Sequence, residues 1–270
     1  GENLRGGEVY LDFPSVGATE NVMMAGVLAR GVTRIHNAAR EPEIADLERF
    51  INAMGGRVSG AGSDTITVTG VDSLGGGRYR AITDRIVAGT LLIAAAVTGG
   101  GVRVADAVPG DMGSVLGKLR QAGCELDLSG DGVRVDAPER LRPVDVSTQP
   151  FPGFPTDMQA QIMAQAAVAD GASVIVENVF ENRFAHAPEL RRMGAEIIVN
   201  NRTAVVRGAR LTGARVTARD LRGGAALVLA GLAAEGVTEI EHVELIDRGY
   251  ESIERKLSLL GADIRRIPTK

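Results

Sequence analysis

LLIAAAVTGGGVRV, residues 91–104, is an apolar helical stretch, a glycine stop and then a short alternating run that reads as a strand. The same plan recurs as VMMAGVLARGVTRI (22–35), IMAQAAVADGASVI (162–175) and LVLAGLAAEGVTEI (227–240). The stop glycines fall at Gly31, Gly101, Gly171 and Gly236. Downstream of each, a second helix closes on another glycine, in FINAMGG, LRQAG, LRRMG and LSLLG, at Gly55, Gly123, Gly194 and Gly261. Glycine suits these helix ends because it enters the left-handed conformation without a Cβ penalty.

The second helices are one-sided. Met112, Val115, Leu116 and Leu119 share a face, as do Ile253, Leu257 and Leu260. The first helices are apolar nearly all round, which predicts burial on every side. Alternating segments such as DTITVTGV and TAVVRGA follow the second glycine and read as hairpin strands. Each unit is therefore β-α-β-α-β-β, and a period of roughly 70 residues is too long for the common solenoids. The fold class expected is α/β (α+β), with several units turning apolar helices inward and sheets outward. A glycine-rich connection, GGGRYRAITDR (75–85), separates one unit from the three that follow. It sets domain boundaries at 1–80 and 81–270.

Composition excludes several classes. The 30 basic and 34 acidic residues leave a net charge of -4, and no basic run with interleaved aromatics points to nucleic acid. The longest apolar stretch, GGAALVLAGLAA (223–234), is short of the ~20 residues that a membrane span needs. His36, His186 and His242 are scattered without metal-ligand spacing, so no metal is expected, and the sequence carries no phosphate-binding Gly-Lys loop or Rossmann fingerprint, so no cofactor is expected either. A sole cysteine, Cys124, fits a reducing compartment. It follows a helix-closing glycine where the other units carry Gly56, Ala195 and Ala262, which marks it as a small packing residue.

Several polar residues have both a structural and a chemical reading. Ser15, with Val16 and Gly17, reads as an N-cap before a helix, or as a helix start whose free N–H groups receive an anion. Thr156 and Gln159 fit a capping box, and Asp157 suits the positive helix end. Asp84 and Asp220 are N-cap candidates, and Arg85 follows the first of them. Val179 reads as an apolar residue at a strand end. Arg183, Arg222 and Arg248 are suited to bidentate binding of phosphate or carboxylate, although most arginines are simply solvated. Gly223 and Gly224 open a helix at ~1 kcal/mol each relative to alanine, which calls for close packing or a mobile helix start.

FPSVGATEN (13–21), AAREPEI (38–44), FPTDMQAQ (154–161), ENVFENRF (177–184) and IDRGYE (246–251) together resemble the enolpyruvyl transferases. The likeness is to the UDP-N-acetylglucosamine 1-carboxyvinyltransferase branch, and it runs the length of the chain. It implies an inside-out α/β barrel with helices inside and sheets outside. It also implies transfer of the enolpyruvyl group from phosphoenolpyruvate to the 3-hydroxyl of UDP-N-acetylglucosamine. That step belongs to cytoplasmic peptidoglycan precursor synthesis, and hence to cell-wall biogenesis, cell shape and cell division. The resemblance places the nucleotide sugar along Phe13, Pro14, Ser15, Val16 and Gly17, with Phe13 standing where the family often has a basic residue. Asp157 then faces the sugar 3-hydroxyl as a proton acceptor. Arg222 and Arg248 serve phosphoenolpyruvate, Val179 offers a main-chain contact to the amino sugar, and Arg183 and Asp220 line the site.

Family members carry an upstream portion with a Lys-Asn pair and a cysteine-bearing loop, neither of which is in this sequence. Residues 1 to about 80 are then the last unit of a lobe. The first reading is an enzyme of this family, expected to be too incomplete in this chain to turn over, and the alternative is a non-catalytic fragment or paralogue that binds a UDP-sugar without turnover. An incomplete lobe also exposes an apolar face, through which the chain is expected to self-associate.

Overall fold

A computed structural model describes residues 4–267, which divide into two compact units. One comprises the residues up to Ile82 with Pro150–Pro152, and the other comprises Thr83–Gln149 and the residues from Gly153 onward. Among the described residues no helix is long and apolar enough to cross a membrane.

The first unit follows the expected order in full: β1 (Glu8–Tyr10), α1 (Val16–Val27), β2 (Val32–His36), α2 (Pro42–Ala53), β3 (Arg57–Ser59) and β4 (Thr65–Thr69). Its sheet runs β1-β2-β4-β3, with β1 parallel to β2 and the other pairs antiparallel. The period of two sends Ile35 and its register partner Ile66 inward, onto Met23 and Val27 of α1 and Ile44 and Ile51 of α2. Burial of α1 on all sides does not hold. Only Thr19, Met23, Gly26 and Val27 are buried, because α1 packs on α2 and the sheet along one face and leaves Met24 and Leu28 exposed.

In the second unit come α3 (Arg85–Thr98), β5 (Gly101–Ala105), α4 (Gly113–Gln121), β6 (Glu125–Asp127) and β7 (Gly132–Asp136), with sheet order β5-β7-β6. Next are β8 (Val146–Ser147), α5 (Gln159–Ala166), β9 (Ala172–Val176), α6 (Ala187–Arg192), β10 (Glu196–Asn200) and β11 (Thr203–Arg207), in the order β10-β11-β9-β8. The last repeat has β12 (Arg215–Thr217), α7 (Leu221–Ala233), β13 (Glu239–Glu241), α8 (Glu244–Asp247) and α9 (Ile253–Leu259), with β12 parallel to β13. Two of the four repeats thus show all four strands. Among the described residues the second has no strand ahead of α3, and the fourth has no closing hairpin. There the chain after Gly261 lays Ala262 and Ile264 against the core instead.

The apolar first helices of this unit do lie inside. α3, α5 and α7 pack on one another, and every residue of α5 is buried. Asp84 caps α3, its carboxylate accepting from the N–H groups of Ile86 (2.8 Å) and Val87 (3.0 Å). The second-helix glycines behave alike, with φ of 94° at Gly55, 102° at Gly123, 93° at Gly194 and 103° at Gly261. Two local expectations need correction. The glycine that closes α3 is Gly99, with φ 69°, rather than Gly101, which already belongs to β5. Leu260 is exposed, because α9 ends one residue before it and turns its face away.

Candidate active site

Three side chains from separate segments converge at one end of the helical core of the second unit. Asp157 lies in a 3-10 turn, Thr156–Met158, that leads into α5. Arg183 comes from the connection between β9 and α6, and Arg222 from the first turn of α7. Asp157 Oδ1 accepts from Arg183 Nη2 at 2.7 Å. Asp157 Oδ2 accepts from Arg222 Nη2 at 2.9 Å and Nε at 3.2 Å. The carboxylate keeps 37% of its side-chain surface exposed against 14% for Arg222, so a ligand can reach the acid over a largely buried cation.

Burial alone would raise the Asp157 carboxyl. The charges of Arg222 and then Arg183, with their hydrogen bonds, outweigh it and hold the group below its ordinary value. Among the described residues Arg222 Nη1 has no hydrogen-bond partner, and the Tyr250 ring centroid lies 5.5 Å from the guanidinium carbon. At that range a ring face stabilises a cation by about 0.5–2 kcal/mol.

The expected capping box is absent. The N-cap position of the 3-10 turn is Pro155, and Gln159 is fully buried without a side-chain partner. Thr156 serves a tertiary network instead: its hydroxyl donates to Glu177 Oε2 (2.8 Å) and accepts from Arg183 Nη1 (2.7 Å). Glu177, entirely buried, was not singled out from the sequence. Its Oε1 accepts from the Thr148 hydroxyl (2.8 Å) and from the N–H groups of Val179 (2.9 Å) and Phe180 (3.1 Å). It thereby fixes both the turn carrying Asp157 and the loop carrying Arg183. Its bonds to Val179 and Phe180 are local, but the hydroxyls that tie it to the site, those of Thr148 and Thr156, lie 29 and 21 residues away.

Val179 stands beyond the end of β9, and its N–H is occupied by Glu177, which leaves the carbonyl for any main-chain contact. Asp220 is the N-cap of α7, accepting from Gly223 N–H at 2.8 Å. The two glycines after Arg222 answer to close packing. A Cβ on Gly224 would lie 2.7 Å from Ile246 Cγ1 and 3.0 Å from Ala218 Cβ, and one on Gly223 would lie 3.0 Å from His186 Cβ. Arg248 closes α8 rather than opening α9; it is exposed and outside the Asp157 cluster.

Phe13, Pro14, Ser15, Val16 and Gly17 belong to the first unit. Ser15 caps α1, its Oγ accepting from Ala18 N–H at 3.3 Å, and Phe13 and Gly17 are exposed at this helix start. The same unit gathers Glu20, Glu41 and Glu43. Burial, with the charges of Glu43 and Glu41, pushes the Glu20 carboxyl up. Cys124 is buried and its thiol is pushed up to about 11 by desolvation, as suits a packing residue.

Four helix-and-strand repeats, two of them a full β-α-β-α-β-β, with the apolar helices α3, α5 and α7 buried together in the second unit, agree with an enolpyruvyl transferase fold. The EPSP synthase (3-phosphoshikimate 1-carboxyvinyltransferase) family model matches residues 1–257, and the chain belongs to that family. It is 52% identical over 267 residues to UDP-N-acetylglucosamine 1-carboxyvinyltransferase 1 of Carboxydothermus hydrogenoformans, covering 98% of this chain and 64% of the relative. Identity to the enzyme of the same name from Symbiobacterium thermophilum is 57%, over 98% of this chain and 60% of the relative. The enolpyruvyl transferase NikO from Streptomyces tendae superposes with a TM-score of 0.87 at 27% identity, over 98% of this chain and 66% of that one. The EPSP synthase of Acinetobacter baumannii, at 19% identity and a TM-score of 0.77, shares the fold, over 98% of this chain and 64% of that one. The chain spans 60% to 64% of the length of these curated relatives.

Proposed function

We propose that this chain supplies the acceptor-activating part of an enolpyruvyl transferase site. The whole protein transfers the enolpyruvyl group of phosphoenolpyruvate to the 3-hydroxyl of UDP-N-acetylglucosamine. The observation that carries this is the Arg183–Asp157–Arg222 cluster: a reachable carboxylate between two guanidinium groups. Relatives at 52% and 57% identity bear the name of this activity.

In the reaction, the 3-hydroxyl oxygen bonds to C2 of phosphoenolpyruvate while C3 takes a proton. C3 then gives up a proton and phosphate leaves, and the enolpyruvyl ether forms. Both anionic ends of phosphoenolpyruvate suit guanidinium partners. A carboxylate held by two cations is a weak base, and base work asks for a pKa nearer the operating pH. A substrate anion that draws on Arg222 and Arg183 supplies this shift by diluting their hold on Asp157. Asp157 thus becomes basic when the electrophile is in place. The exposed start of α1, with Phe13 to Gly17, is suited to the nucleotide sugar. The step belongs to cell-wall precursor synthesis in the cytoplasm, with consequences for cell shape and division. Exposed Met24 and Leu28 support self-association of the chain through α1.

The test is calorimetric titration of the chain with phosphoenolpyruvate and with UDP-N-acetylglucosamine, followed by an assay of phosphate release with both present. Binding that Arg222→Ala weakens at least tenfold is the expected result. No binding of either compound, or binding indifferent to Arg222, contradicts the reading. Binding without release identifies the chain as one that holds substrates without completing the reaction.

A further inference from the structure

Behind the Asp157–Arg222 pair lies a second polar cluster, wholly inside the core. Thr90 of α3, Gln161 of α5 and Tyr250, which follows α8, are all buried. Thr90 Oγ1 donates to the Ile86 carbonyl at 2.7 Å, which uses its one proton. The contact of 2.9 Å between the Thr90 and Tyr250 hydroxyls therefore has Tyr250 as donor. Gln161 Nε2 has two protons: one goes to the carbonyl of Asp157 (2.9 Å), and the other is shared between the Tyr250 hydroxyl (3.0 Å) and Thr90 Oγ1 (3.2 Å). Tyr250 is thus pinned at its hydroxyl, from two helices, while its ring faces the Arg222 guanidinium. Gln161 touches both ends of the arrangement, the tyrosine under the arginine and the backbone of the acid.

A buried network that serves packing alone is poorly rewarded, since apolar side chains of equal shape fill a core without desolvation cost. This one connects at two points to a single ion pair. We propose that Tyr250, held by Thr90 and Gln161, is a positioning residue that fixes Arg222 against Asp157 so that acid and cation meet the substrates in one geometry. The role of the pair in transfer rests on the function proposed above; its fixation does not.

The test follows the Asp157 carboxyl by 13C NMR across pH in the ligand-free chain, with Asp157→Asn for assignment. Tyr250→Phe keeps the ring and removes the anchor, and Gln161→Met removes the donor while keeping the volume. Both are expected to move the Asp157 titration up in pH, toward the ordinary aspartate range. Loss of one buried hydrogen bond of this kind corresponds to about tenfold weaker phosphoenolpyruvate binding for Tyr250→Phe. Tyr79→Phe, which removes a hydroxyl bonded to Asp46 in the first unit, is expected to do neither. Folded variants whose Asp157 titrates as in the wild type overturn the proposal. If Tyr250→Phe fails to fold, Gln161→Met decides by the same criterion. A wild type that binds no phosphoenolpyruvate sinks the functional reading, while the titration comparison still decides this one.

Discussion

The Asp157 carboxylate and the Arg222 guanidinium, 65 positions apart in sequence, meet at 2.9 Å on a platform of buried polar side chains. The carboxylate comes from the turn that leads into α5 and the guanidinium from the start of α7, two helices packed on each other, so the pair is set by the core itself. Arg183 closes the other side from a loop that Glu177 holds.

Glu177→Gln leaves the side-chain volume unchanged but removes the charge that strengthens four hydrogen bonds. Hydrogen bonds to charged groups contribute about 1.5–3 kcal/mol, and a loss of that order is expected in urea unfolding. Hydrogen exchange should quicken across residues 178–183, the loop that Glu177 ties down. Unchanged exchange there would remove Glu177 from its place in the site.

Gly224→Ala puts a methyl group 2.7 Å from Ile246 Cγ1. Overpacking of this kind costs about 1–3 kcal/mol, which outweighs the gain in helix propensity. The expected outcome is a lower urea midpoint at constant slope. A more stable variant would mean that the start of α7 is free to shift.

His186 is fully buried, and desolvation pushes its imidazole down from 6.5 to about 4. As pH falls below about 6.5 the unfolded chain takes a proton that the folded chain refuses until about 4. Stability is therefore present above this window and lost on descending through it, by on the order of 3 kcal/mol. His186→Leu is expected to flatten that limb, as measured by urea unfolding at pH 7 and pH 4.5. An equal pH dependence in wild type and variant would contradict it.

Cys124 combines burial with a thiol pushed up to about 11. A disulfide reagent at pH 8 should leave it unmodified in the folded chain and label it fully in urea. Rapid labelling of the native chain would show that the second helix of its repeat opens readily.

Much of the fold is legible because the repeat writes the same physical need four times. The glycines at 55, 123, 194 and 261 all take left-handed φ, and the apolar helices α3, α5 and α7 are buried as their composition demands. The rest depends on context that composition lacks. Three glycines run from 99 to 101, and only packing decides which one ends α3. Met24 and Leu28 look like core residues in sequence, yet α1 has neighbours along one face alone. Thr156 satisfies the pattern of a capping box but answers to a buried carboxylate 21 residues on. Asp157, Arg183 and Arg222 are legible as separate candidates, whereas Glu177, Gln161 and Tyr250 owe their roles to partners from distant segments, Thr148 and Thr156 for Glu177 and Thr90 for the other two.

The most direct test is the pH titration of the Asp157 carboxyl, followed by 13C NMR with and without saturating phosphoenolpyruvate. An anion that engages Arg222 and Arg183 dilutes their pull on Asp157, so the titration should move to higher pH when phosphoenolpyruvate is bound. A titration unmoved by bound phosphoenolpyruvate, or shifted to lower pH, would contradict the assignment of this cluster as the site where donor and acceptor meet.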